Sequence, residues 1–229
     1  MSWDSAFFGR KIGALHIDYM QPESITESLA QARKDAFHYL LCKVDSHNIS
    51  VTRILEAAGF YLTDIAVIWL YEMLDNTVDY QLTRNARLAT ERDIPMAREM
   101  VKSLFLQSRF YNDPFYSKEE ADNLFQTWIE NSIKGLAAHA VFLISDKGFI
   151  TCRRVENNTG EIGLIGVKKD FQRRDIGKQL LITALKWFHS QGISKVKVKT
   201  QLRNVPALNF YSALGFTITE YSLTFGIIL

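Results

Sequence analysis

Apolar residues in the later part of the chain switch repeatedly between helical and extended spacing. At Ile94, Ala97, Met100, Val101 and Leu104 they fall three and four apart, behind Asp93 as an N-cap and Pro95 in the first turn, which predicts a helix. A short strand at Arg87–Ala89 should precede it. Ser117-Lys-Glu-Glu120 has the form of a capping box, and Ala121, Leu124, Phe125, Trp128, Ile129 and Ile133 continue it at helical spacing. Three extended runs follow at about 139–145, 149–155 and 161–167, parted by the turn residues Asp146-Lys-Gly148 and Asn157-Asn-Thr-Gly160. A long helix is expected from Arg174 to Gln191, with Ile176, Leu180, Leu181, Ala184, Leu185 and Phe188 on one face and Gly192 as its stop. A strand (Lys195–Thr200), a helix (Val205–Ala213) and a strand (Thr217–Gly226) complete the series. Such alternation predicts an α/β protein with a mixed sheet flanked by helices.

The earlier part reads differently. A hydrophobic run ends near Tyr71 and gives way to the polar stretch Asp75-Asn-Thr-Val-Asp-Tyr-Gln-Leu-Thr-Arg84, a linker candidate. It divides the chain into residues 1–78 and 79–229. At an offset of 156, Lys43, Asn48, Ala57, Gly59, Phe60 and Thr63 match Lys199, Asn204, Ala213, Gly215, Phe216 and Thr219. Both copies read strand, Asn-led helix, Gly-Phe, strand. Chance could give six identities in a common layout; an ungapped match favours duplication. The first copy is preceded by a helix (Ser24–Ala36) without a glycine-containing loop before it, so it reads as a truncated copy.

Composition narrows the class. The chain has 229 residues, 47% of them apolar and 12% aromatic, enough for a substantial core. A formal net charge of +2 gives no reason to expect nucleic acid or an anionic membrane surface as partner. Cys42 and Cys152 are far apart, which fits a reducing compartment. Met1-Ser-Trp-Asp starts no signal peptide, and no apolar stretch is long enough to span a bilayer. A cytoplasmic protein is the expectation. His16, His38, His47, His139 and His189 form no ligand cluster, so no metal is expected.

Two segments carry candidate chemistry. In Glu161-Ile-Gly-Leu-Ile-Gly-Val167 an apolar strand runs into a basic turn that opens straight into the long helix. Free N–H groups and the macrodipole at such a helix start suit a phosphate or pyrophosphate. Lys168, Lys169, Arg173, Arg174 and Lys178 add positive potential; an ordinary strand–helix turn with solvated charges would look similar. In the second segment Asn204 is an N-cap, Pro206 suits the first turn, and Asn204, Ala207 and Tyr211 share a helix face. A core tyrosine would also explain Tyr211.

Together these segments resemble motifs A and B of the GNAT superfamily of acyl-CoA-dependent N-acyltransferases, over about residues 85–229. Gln172-Arg-Arg-Asp-Ile-Gly177 matches the Gln/Arg-x-x-Gly-x-Gly/Ala loop, with Asp175 in place of the first glycine. Aspartate tolerates positive φ. Its charge would repel a diphosphate at ~8 Å by about 0.5 kcal/mol in water-like dielectric. Asn204-Val-Pro-Ala-Leu-Asn-Phe-Tyr211 matches Asn-x-x-Ala-x-x-x-Tyr, followed by Gly215-Phe216. The resemblance implies the GNAT fold for residues 79–229, a truncated GNAT-like half before it, and acetyl-CoA as co-substrate. Leu164, Ile165, Val167, Gln172, Arg173, Arg174, Asp175, Ile176, Gly177, Lys178, Asn204 and Ala207 would contact the cofactor, its pantetheine arm lying between splayed strands. Tyr211 would protonate the departing thiolate. Leu55 stands at the equivalent position of the first copy, as a non-catalytic half would have it.

Segments outside those motifs are similar to the branch of the superfamily that acetylates the 4-amino group of dTDP-4-amino-4,6-dideoxyhexoses for surface polysaccharide. They are Trp3-Asp-Ser-Ala-Phe-Phe-Gly9, Gln107-Ser-Arg-Phe-Tyr111 and Gln126-Thr-Trp-Ile-Glu-Asn131. Arg109, Phe110 and Tyr111 become acceptor candidates, since an arginine can grip a diphosphate and aromatics can stack on a sugar or base. A helix–helix connection with an apolar underside is the plainer reading. Glu161 could be a general base and is better read as a turn residue. The implied partners are acetyl-CoA and an amine-bearing small molecule, and a homodimer is compatible with this. Other amines remain open as acceptors, as does a non-enzymatic acetyl-CoA-binding module.

Overall fold

Helix starts follow the local chemistry of the chain. Ser117 Oγ accepts from Glu120 N at 3.1 Å while the Glu120 carboxylate accepts from Ser117 N at 2.8 Å. Asp93 behaves differently from the expected cap. It lies at the end of a 3₁₀ turn, Glu91–Asp93, and its carboxylate reaches back to Thr90 N at 2.8 Å and to Arg87 at 2.6 and 2.9 Å. Thr90 and Asp93 therefore form the box, and the helix runs from Ile94. The long helix begins at Ile176, two residues late, because Arg173 and Asp175 take positive φ of 57° and 59°.

The computed structural model describes residues 1–16, 22–73, 85–155 and 158–229. The expected linker, with the boundary between residues 78 and 79, lies outside them. The strands are β1 (Ile12–Leu15), β2 (Tyr39–Asp45), β3 (Tyr61–Glu72), β4 (Arg87–Leu88), β5 (Ala140–Ile144), β6 (Gly148–Val155), β7 (Thr159–Val167), β8 (Lys195–Gln201) and β9 (Thr217–Ile228). The helices are α1 (Ser2–Phe8), α2 (Pro22–Lys34), α3 (Ile49–Ala57), α4 (Ile94–Val101), α5 (Arg109–Asn112), α6 (Lys118–Ile133), α7 (Ile176–Ser190) and α8 (Val205–Ala213). All the strands join one mixed sheet in the order β1-β2-β9-β3-β8-β7-β6-β5-β4. The sheet is thus continuous across both parts of the chain: β3, from the first part, lies between β8 and β9 of the second.

Six strands of this order are palindromic. The 156-residue offset lays β2 and β3 on β8 and β9, and with β1 in the place of β7 the series β1-β2-β9-β3-β8-β7 reverses onto itself. Register obeys the same relation. Lys43 faces Thr224 across β2·β9, and its image Lys199 faces Ile68 across β8·β3. Both sides of β3·β9 carry a register shift, at Thr63 and at its image Thr219. Thr63 Oγ1 donates to Thr224 O at 3.0 Å, and Thr219 Oγ1 to Ile68 O at 3.3 Å. The helix caps agree too, Asn48 Oδ1 accepting from Val51 N and Asn204 Oδ1 from Ala207 N, both at 3.3 Å. The likeness extends to β1 and α2, which stand in the places of β7 and α7. Both parallel pairs end at matching points, Leu15↔Cys42 and Ile162↔Val198.

Two helical layers cover the sheet. On one face α7 and α8 bury Leu180, Leu181, Phe188 and Tyr211 against Val67, Trp69, Val196 and Val198. On the same face α2 and α3 bury Ile25, Leu29, Val51 and Leu55 against Cys42 and Phe225. On the other, α4 and α6 pack on Val141, Leu143, Phe149 and Leu164, and α1 with the loop after α5 packs on Tyr39 and Leu41. Tyr39 anchors this second layer: fully buried, it donates to Asp113, which also accepts from Tyr61 Oη at 3.0 Å and Phe115 N at 3.1 Å. Strand alternation leaves Lys43, Asp64, Lys199, Gln201 and Thr224 facing the gap between the two covered regions.

Candidate active site

β7 and β8 pair from Thr159↔Lys195 to Ile162↔Val198 and then part, although β7 continues to Val167 and β8 to Gln201. β8 is held away by β3, which pairs with it from Ala66↔Gln201 to Glu72↔Lys195. β7 is held by β6, with an extra β7 residue between the pairs Cys152↔Ile162 and Ile150↔Ile165. Thr151 Oγ1 fills that irregularity by accepting from Leu164 N at 2.8 Å. Leu164 therefore directs its backbone toward β6 and its side chain into the core under α4 and α6. Backbone groups alternate along a strand, so those of Ile165 turn into the gap. The Val167 carbonyl, two residues on, accepts from Gln172 Nε2 at 3.0 Å. Of the three strand positions expected at the cofactor, Ile165 and, through its N–H, Val167 turn backbone into the gap, whereas Leu164 N–H and Val167 C=O are engaged.

The gap opens toward the turn before α7. Arg173, Arg174, Asp175 and Lys178 are exposed there, and Ile176 is buried under the helix. Asp175 is the N-cap residue at φ 59° and ψ 5°, so the left-handed position usually given to glycine is filled by a short polar side chain that tolerates it. Its carboxylate makes no cap hydrogen bond, which leaves the first-turn N–H groups facing outward. Gly177 faces Phe210 of α8, 3.4 Å from where a Cβ would lie. Lys168 is partly neutralised by Asp146 at 3.0 Å. The turn can receive a polyanion through the helix start and its exposed arginines.

Asn204, Ala207 and Tyr211 line the gap from α8. Asn204 is held by its cap and by Nδ2 donating to Thr200 Oγ1 at 3.5 Å. The Tyr211 ring packs against Trp69, Phe210 and Phe216, with centroids at 6.1, 5.3 and 5.4 Å. Its hydroxyl has no hydrogen-bond partner among the described residues, and burial holds its pKa above the ordinary phenol value. At neutral pH it is a protonated donor.

Leu164, Ile165, Val167, Gln172, Asn204, Ala207 and Tyr211 border one cavity of about 960 Å³, whereas Arg173, Arg174, Asp175, Ile176, Gly177 and Lys178 lie outside its lining. It runs from the β7/β8 gap across the open sheet face to Ala14, Leu15 and Lys43 on the far side. Arg109 and Phe110 line it, Arg109 lying 4.3 Å over the Phe110 ring. Tyr111 does not: its hydroxyl donates to Asp122 and its ring stacks on Phe125. Glu161 lies within β7, not in a turn, and pairs with Arg153 at 2.6 Å. The sequence reading missed Asp64, Lys43 and Lys199 as cavity residues. The two lysines had appeared as repeat identities, and their alternation with buried neighbours was the available signal. Among the described residues there is no group of side chains able to hold a metal, and no helix long and apolar enough to cross a membrane.

The model of the acetyltransferase (GNAT) family matches residues 99–216, just over half of the chain. The chain is similar along nearly its whole length to the dTDP-fucosamine acetyltransferase of Escherichia coli O6:H1, at 26% identity over 223 residues covering 95% of this chain and 92% of that protein. It is 30% identical over 124 residues to the spore coat polysaccharide biosynthesis protein SpsD of Bacillus subtilis, covering 53% of this chain and 43% of that one. A tandem GNAT protein from the clavulanic acid biosynthesis pathway superposes with a TM-score of 0.59 over 94% of this chain and 75% of its own, at 12% identity. A functionally unknown conserved protein from Staphylococcus epidermidis reaches 0.65 over 91% and 81%, also at 12% identity. These last two likenesses concern fold.

Proposed function

The chain belongs to the acetyltransferase (GNAT) family and is an N-acetyltransferase, and from that premise we propose that it transfers the acetyl group of acetyl-CoA to the 4-amino group of a dTDP-4-amino-4,6-dideoxyhexose. The observation that carries the reading is the cavity, which joins a strand gap holding an unpartnered tyrosine hydroxyl to a second region lined by Arg109 and Phe110. A gap alone would suit any acyl donor; the extension gives room for a large, anionic acceptor. Similarity along nearly the full length to an enzyme named for dTDP-fucosamine supports the same acceptor class.

The fit to the donor rests on three features of this chain. Ile165 offers backbone groups in the gap, as a neighbouring strand would require. The start of α7, with Arg173, Arg174, Lys178 and the nearby Gly177, offers a pyrophosphate seat. Asn204 and Ala207 border the space between them. The donor supplies an activated acetyl thioester. The Ile165 N–H polarises its carbonyl, and Tyr211 gives its proton to the departing sulfur. Arg109 binds the acceptor's diphosphate. In this reading residues 1–78 are a degenerate copy of the catalytic half that builds the acceptor side, Leu55 replacing the acid.

The test is a thiol-release assay with acetyl-CoA and a panel of amines, with the product identified by mass spectrometry. The sugar nucleotide should be preferred over amino acids, peptides and aminoglycosides by at least about tenfold in kcat/KM. Preference for any of the others would refute the acceptor class.

A further inference from the structure

One group in the cavity floor has no place in the mechanism above. Asp64 follows the bulged Thr63 on β3 and is 3% exposed. Its Oδ1 has no hydrogen-bond partner among the described residues, yet the residue lines the cavity. Charged groups approach it from three sides: Lys199 on β8, Arg203 in the turn beyond and Arg109 on α5, with the Gln201 amide also facing it. Arg203 is committed elsewhere, donating to Thr63 O at 2.9 Å. Lys43 on β2 and Glu220 on β9 act in turn on Lys199. Desolvation pushes the Asp64 carboxyl above the ordinary range, and Lys199, Arg203, Arg109 and a hydrogen bond from the Gln201 side chain pull it back. A buried acceptor left open toward a cavity calls for a donor from outside the protein.

Its position along the sheet identifies that donor. The last β7–β8 pair is Ile162↔Val198, and with the extra residue that β7 carries before Ile165 the same register brings Ile165 level with Thr200, next to Gln201. Ile165 presents its backbone to the gap, and Gln201 faces Asp64. Asp64 lies two residues along β3 from Ala66, the partner of Gln201, so the open carboxylate stands just past the level where the acyl group is to be handed over, on the acceptor side. Under the 156-residue offset its image is Glu220, which is exposed on the surface. The buried carboxylate is thus specific to the strand contributed by the first copy.

We infer that Asp64 receives the acceptor's amino group and takes its proton as the amide forms. This rests on the reading above insofar as the acceptor is an amine. The nitrogen lone pair forms the new C–N bond while the thioester C–S bond breaks and its electron pair stays on sulfur. The nitrogen proton passes to Asp64 Oδ1, and the Tyr211 phenol proton passes to sulfur. Water then removes one proton from Asp64 and returns one to Tyr211, so the net change is amine plus thioester to amide plus thiol. Tyr211 and Asp64 lie on opposite elements, α8 and β3, and handle the two protons separately.

The test uses the full chain with Asp64→Asn and Asp64→Glu. Asp64→Asn should lower kcat by about 10²- to 10³-fold and flatten the acidic limb of the rate profile, and Asp64→Glu should recover part of the rate. Acetyl-CoA affinity by calorimetry should stay within about twofold. A second readout needs no turnover: binding of the 4-amino sugar nucleotide and of its 4-hydroxy analogue to the enzyme–CoA complex. The wild type should favour the amine by about tenfold, and Asp64→Asn should level the two. A variant with wild-type kcat and acidic limb, or with the amine preference intact, overturns the assignment. If the sugar nucleotide is not acetylated but another amine is, the acceptor class falls and Asp64 is judged by the same measurements on that amine. If the wild type binds acetyl-CoA and acetylates no amine, both fall.

Discussion

Replacing Tyr211 by phenylalanine removes one oxygen and leaves the ring among Trp69, Phe210 and Phe216. In a core tyrosine whose hydroxyl is bonded, that change costs about 0.5–1.5 kcal/mol of stability. Here the hydroxyl has no partner among the described residues, although the side chain is 3% exposed. Folding therefore gains nothing from it, and Tyr211→Phe should match or slightly exceed wild-type stability in urea unfolding. Catalysis should move the other way. Loss of a general acid lowers kcat by about 10²- to 10⁴-fold, equivalent to about 3–5 kcal/mol of barrier. Acetyl-CoA affinity should be nearly unchanged, since the phenol acts on a charge that develops only in the reaction. Because burial raises the Tyr211 pKa, this residue should impose no alkaline loss of rate between about pH 7 and 10. Stopped thiol-release assays and unfolding curves on the same preparations decide the matter. A destabilised variant with near-normal turnover would show that the hydroxyl serves packing and that the mechanism is wrong.

Three further perturbations probe other parts of the structure. Asp175→Gly removes a like charge worth about 0.5 kcal/mol near a diphosphate, so acetyl-CoA should bind roughly twofold tighter at low salt, with the gain fading as salt is added; equal affinity at low salt would place Asp175 away from the phosphates. Arg87 and the Thr90 backbone hold Asp93 below the usual carboxylate range, so its contribution is present at neutral pH and is lost as pH falls through about 4 and below. Asp93→Asn should cost about 1 kcal/mol at pH 7, and paired urea midpoints at pH 7 and pH 3 should show the difference shrinking. Gly226→Ala would push a Cβ onto the hydroxyl of Tyr39, which is fully buried and tied to Asp113; a loss of about 3 kcal/mol is expected in thermal unfolding, and a neutral substitution would mean that this core can yield.

The helices and strands of the second part were legible because capping chemistry and apolar periodicity agree there. Ser117 and Glu120, Asn204 and the Asp175–Gly177 turn are local signals that need no tertiary context. The sheet order was not legible. Nothing in Tyr61–Glu72 announces that β3 will leave its own half and settle between β8 and β9, because both edges it satisfies lie more than a hundred residues away. Two acceptor candidates, Arg109 and Phe110, reach the cavity, while Tyr111 is drawn to Asp122 and Phe125 by a helical turn too short for its direction to be read from spacing. Asp64 escaped notice for the opposite reason. In sequence it is one aspartate in an apolar strand, and only the partner strands reveal that its oxygen is left open over a cavity.

The 156-residue offset explains why β3 must lie where it does. A two-strand swap across a pseudo-twofold satisfies β2 with β9 and β8 with β3 in matching registers. Had β3 stayed beside β2, and β9 beside β8, each half would need its own closed edge. The swap instead spends those edges on one another and leaves β7 and β1 as the outer parallel strands of the repeat. Both parallel pairs stop at equivalent residues of β2 and β8, Cys42 and Val198, but only β7 continues beyond its last pair among the described residues. What also differs is the furniture around them. The β4–β6 hairpins hold β7 in place, Tyr211 replaces Leu55, and the buried Asp64 has an exposed Glu220 as its image. One symmetric scaffold thereby places an acid and a base on different copies, which is how a single cavity can come to hold one for the sulfur and one for the nitrogen.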